Sequence, residues 1–132
     1  MRAAVWFSHY GFPDTPLNLP YQTRSPVLNK KVFYETKKEI YRDINLILHE
    51  KGTIKFGIGQ SLYFQMPLFC DAKIIISDWC LDMIKDYFLT TKYNIPLGKD
   101  LDSIKTFTED CFAVIESEIN NIVKYENKKD GN

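Results

Sequence analysis

Hydrophobic and polar positions alternate along this chain in patterns that change from one segment to the next. Residues 3–8, "AAVWFS", form a short unbroken apolar run that reads as a buried strand. Phe33, Ile40, Ile44, Ile47 and Leu48 then recur at steps of three, four and seven, one stripe of an amphipathic helix over 26–51. Ser25-Pro26 supplies an N-cap and a first helical residue, and Gly52 a left-handed cap. In "IKFGIGQSLYFQM", residues 54–66, the apolar side chains Ile54, Phe56, Ile58, Leu62, Phe64 and Met66 all fall on even positions. A three-residue loop, Gly59-Gln60-Ser61, would pair 58 with 62, 56 with 64 and 54 with 66 and put all six on one face. A two-residue loop would invert the second strand. The pattern therefore predicts a β-hairpin, ended by Pro67.

Residues 72–76, "AKIII", fit either a short strand or the first turns of a helix. From Ser77 or Asp78 a helix is expected to about Lys92, with Trp79, Met83, Ile84, Tyr87 and Phe88 as its stripe. "NIPLGKD" breaks it. A last helix capped by Asp100 carries Ile104, Phe107, Cys111, Ile115, Ile119 and Ile122, and the polar residues 126–132 are expected to fray. Residues 11–25, with Pro13, Pro16 and Pro20, read as a rigid proline-rich loop. The expectation is one domain over 1–132 of α+β class: a small antiparallel sheet in the order β-α-β-β-(β)-α-α, with three amphipathic helices packed on it.

Composition narrows this picture. The chain has 17 basic and 17 acidic side chains, so no net field steers it to nucleic acid or to a membrane surface. The halves differ: residues 1–55 hold nine basic and five acidic side chains, and residues 56–132 eight and twelve. Folding of the halves against each other explains this, and so does complementary self-association or an acidic docking face. The abundance of Lys, Ile, Asn, Tyr and Phe is that of an AT-rich genome, such as a phage or a low-GC microbe. Cys70, Cys80 and Cys111 are odd in number and lack ligand spacing, which fits packed thiols in a reducing cytoplasm and no zinc site. No apolar stretch is long enough to span a bilayer, and the N-terminal run is too short for a signal peptide.

Candidate chemistry is sparse. "GIGQS" lacks the GxxxxGK[ST] frame, and a turn accounts for its glycines. Asp78, Asp82 and Asp86 repeat every four residues, a carboxylate row on one helix face that could hold a divalent cation, or simply a solvated stripe. His9 follows the first run and borders the long loop, a sensible place for a catalytic group; His49 sits at a helix end. Lys30, Lys31, Lys37, Lys38 and Arg42 give the first helix its cations, interleaved with Glu35, Glu39 and Asp43 as on a solvent face. The aromatics are the best functional hint. Tyr10, Phe12, Tyr21 and Tyr63 are of the type that anchors partners when it reaches the surface.

The order strand–helix–hairpin, with "KG" at the helix end and "QSLY" in the second strand, loosely resembles small ferredoxin-like ribonucleases. Those families use an aspartate in the first strand, and "AAVWFSHYG" has none, so no site residue is carried over. The reading that results is a non-enzymatic protein–protein interaction or accessory factor, an inhibitor or assembly subunit, with another protein or a second copy as partner and without a cofactor. The alternatives are a small hydrolase or nuclease using His9 or the Asp78, Asp82 and Asp86 row, and a weak nucleic-acid binder through helix 26–51.

Overall fold

The computed structural model describes residues 1–14, 17–26, 28–49, 56–93 and 102–130, with side chains of the last segment described from Thr106 onward. Its elements are α1 (Arg2–Tyr10), β1 (Tyr21–Arg24), β2 (Lys31–Tyr34), α2 (Lys37–Leu48), α3 (Ile58–Gln65), a 3-10 turn (Met66–Leu68), α4 (Ala72–Ile75), α5 (Asp78–Tyr93) and α6 (Asp102–Asp130). The class is α+β, a two-stranded antiparallel sheet with helices packed on it. The sheet, however, is built from other residues than expected, and the element order differs accordingly.

The apolar run 3–8 is helix α1, not a strand. A short continuous apolar run does not distinguish a buried strand from a buried helix. Here the helix wins because it is buried on opposite faces. Ala3 and Phe7, one turn apart, enter a core formed by Tyr34, Ile40, Ile44, Ile47, Leu62, Met66, Phe69, Cys70, Ala72 and Ile75. Ala4, Val5 and Trp6 enter a second core with Cys80, Ile84, Ile115 and Ile122. Helix α1 is thus the pillar between two cores. Gly11 ends it at φ 91°, its N–H donating to the Phe7 carbonyl at 2.7 Å.

The hairpin lies at β1 and β2, not at 54–66. Tyr21 pairs with Tyr34 and Arg24 with Lys31. Residues 21–24 therefore leave the proline-rich loop for the sheet. Ser25, expected to cap a helix, closes the hairpin instead: its N–H donates to the Lys30 carbonyl, and its Oγ accepts from the Leu28 N–H at 3.2 Å. Asn29 there takes φ 54°, and its side chain accepts from Arg24 at 2.8 Å. Helix α2 starts eleven residues later than expected, at Lys37, because Thr36 and Glu39 form a capping box. The Thr36 N–H donates to Glu39 Oε2 at 2.9 Å, and the Lys38 N–H to Thr36 Oγ1 at 3.3 Å. Ile40, Ile44 and Ile47 form the buried stripe as expected, whereas Phe33 stands exposed on β2. The expected caps at Gly52 and Asp100 lie outside the described residues.

Residues 58–65 coil into α3. The even-numbered apolar set splits: Leu62 and Met66 are buried, and Phe56, Ile58 and Phe64 are exposed. The buried positions Gly59, Ser61, Leu62 and Met66 follow the helical period. The two glycines serve different ends. Gly57 takes φ 87° at the start of α3, while Gly59 makes room, since a Cβ there would stand 2.4 Å from Glu118 Oε1 and 2.8 Å from Trp6 Nε1. Residues 72–75 resolve the strand-or-helix alternative as the short helix α4, capped by Asp71. Helix α5 matches its expected span, with Cys80 and Ile84 inward; Trp79 and Phe88, placed on its stripe, are exposed. Helix α6 continues through 126–130, which were expected to fray.

Two carboxylates are buried in these cores. Glu118, 2% exposed, accepts from Trp6 Nε1 at 3.2 Å and from Arg2 at 3.1 Å. Asp43, fully buried, accepts from the Tyr34 hydroxyl at 2.5 Å. All three cysteines are buried free thiols. Burial, helped by Asp71, pushes the Cys70 thiol from 9.0 up to about 12. Burial raises the Tyr21 and Tyr34 phenols in the same direction from 10.0. A group whose folded pKa is raised contributes stability that is whole below its unfolded pKa and is lost as pH climbs through the folded value. Urea midpoints are therefore expected to hold to about pH 9 and fall steadily above it. A midpoint still flat toward pH 12 contradicts the burial of these groups.

Candidate protein-docking site

Helix α3 packs on α1 through Gly59 and Leu62, and this fixes what it turns outward. Phe64 is 47% exposed and Phe56, just before the helix, 54%. Three cavities follow this outward face. The first, about 380 Å³, is lined by Phe7, Tyr10, Phe12, Pro13, Tyr63, Phe64 and Pro67. The second, about 330 Å³, lies between Phe64 and Phe56 over Gln60. The third, about 640 Å³, continues from Phe56 and Gln60 to Asn121, Lys124, Tyr125, Lys128 and Lys129 on α6. Phe64 is shared by the first and second cavities, and Phe56 and Gln60 by the second and third. Neighbouring cavities share lining residues, so the three lie in a row along α3, a discontinuous groove with aromatic side chains at one end and lysines at the other.

At the aromatic end the rings pack on one another. Phe12 stacks on Phe7 at 5.4 Å between centroids, and Tyr63 lies 5.3 Å from Tyr10 and 5.7 Å from Trp6. Phe64 meets Tyr125 edge-on at 5.8 Å, joining α3 to α6. The Tyr10 hydroxyl donates to the Glu126 carboxylate. Burial, and then that hydrogen bond, raise the Tyr10 phenol well above its ordinary value, and burial raises Tyr63. Both rings stay neutral over the physiological range and offer apolar surface with a polar edge. At the basic end Lys124, Lys128 and Lys129 are exposed, and among the described residues none is paired with a carboxylate. Lys124 and Lys128, four residues apart, share a face of α6.

Of the four aromatics singled out in the sequence, Tyr10, Phe12 and Tyr63 are brought together at this groove. Tyr21 is not: it sits on β1 with its ring against Tyr34 at 5.5 Å and its hydroxyl donating to the Phe69 carbonyl at 2.8 Å. His9 is exposed in the last turn of α1, its ring edge-on to Tyr10 at 4.6 Å. Asp78, Asp82 and Asp86 form an exposed row on α5, a different helix from the one that carries His9. Among the described residues no group of three His, Cys, Asp or Glu side chains is placed to hold a metal ion. The cations expected on one helix are divided: Lys30 and Lys31 belong to the hairpin, and Lys37, Lys38 and Arg42 to α2. Lys38 and Arg42 border an open surface with Tyr41, Asn45 and His49. No helix of the described residues is long and apolar enough to cross a membrane.

Sequence reasoning missed Phe56 and Phe64 as surface rings, because the alternating pattern put them inside. It missed Lys128 and Lys129 because they fall within 126–132, read as a fraying polar tail, and Lys124 because it lies past Ile122, the last residue of the apolar stripe. The helical phase of Gly59, Leu62 and Met66 was the signal that could have exposed both phenylalanines. Comparison of the chain with known proteins returns no matching family model, no matching curated protein and no matching solved structure.

Proposed function

We propose that this protein is a protein-recognition module whose groove along α3 takes a segment of a partner bearing a bulky apolar side chain beside carboxylates. What supports this reading is the row of cavities sharing lining residues, from the rings of Tyr10, Phe12, Tyr63 and Phe64 to Lys124, Lys128 and Lys129, which are paired with no carboxylate among the described residues. Exposed aromatic side chains in concave surroundings are the usual anchors of binding energy. Cations at one edge select acidic sequences and fix orientation.

The test is selection of random peptides on the intact protein, with counter-selection on Phe64→Ala. Peptides enriched in Trp, Phe or Leu next to Asp or Glu are expected. Because Phe64 is half exposed, its loss is expected to lower the thermal midpoint by only a few degrees, through its lost contacts with Tyr63 and Tyr125, while weakening selected peptides about tenfold or more. Enrichment without acidic residues, or peptides that bind Phe64→Ala as well as the parent, would overturn the reading.

A further inference from the structure

Helix α5 of the same chain carries the chemistry that this groove calls for. Cys80 and Ile84 set its buried face. On the helical wheel Asp78, Asp82, Asp86, Leu89 and Tyr93 lie opposite, with Trp79 at their flank. All of these are exposed, Trp79 to 50% and Tyr93 to 59%. Among the described residues none of the three aspartates is in an ion pair with a lysine or arginine. Among the described residues the lysines of the groove are equally without a carboxylate partner, and no ion pair joins the two sets within one molecule.

We infer that the protein self-associates, with the acidic, aromatic face of α5 from one copy seated in the groove along α3 and α6 of the next. This rests on the docking reading above and names its occupant. Spacing supports it as well as charge. Asp82 and Asp86 are four residues apart on one helix, and so are Lys124 and Lys128, so each pair spans about 6 Å along its axis. Two helices lying side by side can therefore match both charges at once. Trp79 and Leu89 supply the apolar side chains to meet Phe56 and Phe64. Because the two surfaces differ, the contact is either repeated reciprocally in a two-fold dimer or propagated head to tail.

The test is sedimentation of the full chain over a concentration series at low and high salt. The wild type is expected to associate with rising concentration and to dissociate as salt screens the charges. Lys124→Glu/Lys128→Glu and Asp82→Lys/Asp86→Lys are each expected to weaken association about tenfold or more, since like charges then face each other. Each remains folded, judged by an unchanged helical circular dichroism signal. The decisive variant combines all four substitutions. It restores zero net charge with the patches exchanged, and is expected to regain association. A monomeric wild type at every concentration, or a four-fold variant that stays monomeric while the wild type associates, overturns the inference. The peptide selection then still decides the groove by itself, because it needs no second copy.

Discussion

Gly59→Ala is expected to destabilise the protein by about 3 kcal/mol, against the usual sign for such a change. In a helix interior alanine is ordinarily better than glycine by about 1 kcal/mol. Here the added methyl would lie 2.4 Å from Glu118 Oε1 and 2.8 Å from Trp6 Nε1. Neither neighbour can step aside cheaply. Trp6 is fully buried, and Glu118 is 2% exposed and held by Trp6 and Arg2. Moving the carboxylate breaks the indole hydrogen bond and leaves a buried donor without its acceptor, a loss of about 1–3 kcal/mol. Overpacking adds about as much, and the propensity gain offsets only part. Urea denaturation is the measurement, with the midpoint falling and the slope unchanged. A stabilised Gly59→Ala would mean that α1, α3 and α6 do not meet at this point.

Tyr34→Phe is expected to cost about 3 kcal/mol, far more than the loss of one ordinary hydroxyl. Its O–H donates to Asp43 Oδ2, and Asp43 Oδ1 has no hydrogen-bond partner among the described residues. The Arg42 guanidinium is a loose neighbour at 3.8 Å, itself largely in water. Removing the hydroxyl therefore leaves a fully buried carboxylate without a hydrogen bond. Replacing both partners is a different matter, because nothing is then left uncompensated. Tyr34→Phe/Asp43→Leu is expected to recover most of the loss, a coupling that a double-mutant cycle reads directly. A Tyr34→Phe protein weakened by less than about 1 kcal/mol would show that Asp43 reaches water.

These two residues also mark how far the sequence could be read. Tyr34 fell in what looked like the early turns of a helix over 26–51, since Phe33, Ile40 and Ile44 kept a helical step. The capping box Thr36–Glu39 was legible in the chain and would have moved the helix start to Lys37. The candidate site was legible in part. Tyr10, Phe12 and Tyr63 stand out in the sequence by their chemistry alone, and the fold gathers them at one end of the groove. Tyr21 stands out on the same grounds, and the fold spends it on the sheet.

By itself the chain determined the helices whose apolar stripes are long: the body of α2 from Ile40 to Ile47, α5 over its whole length, and α6 through Cys111, Ile115 and Ile122. Several turns of consistent periodicity leave only one way to bury such a stripe. Tertiary structure decided the short segments. A run of five apolar residues ending at Ser8, or six apolar side chains at alternate positions around two glycines, suits strand and helix equally well until neighbours are present. For 3–8 the choice fell to helix because two cores need a pillar with apolar side chains on opposite faces. For 58–65 it fell to helix because only a residue without a Cβ fits between Trp6 and Glu118, and a helix brings Gly59, Leu62 and Met66 to that side while leaving Phe64 outside. Local preference is worth about 1 kcal/mol per residue at most, and packing of this kind outweighs it.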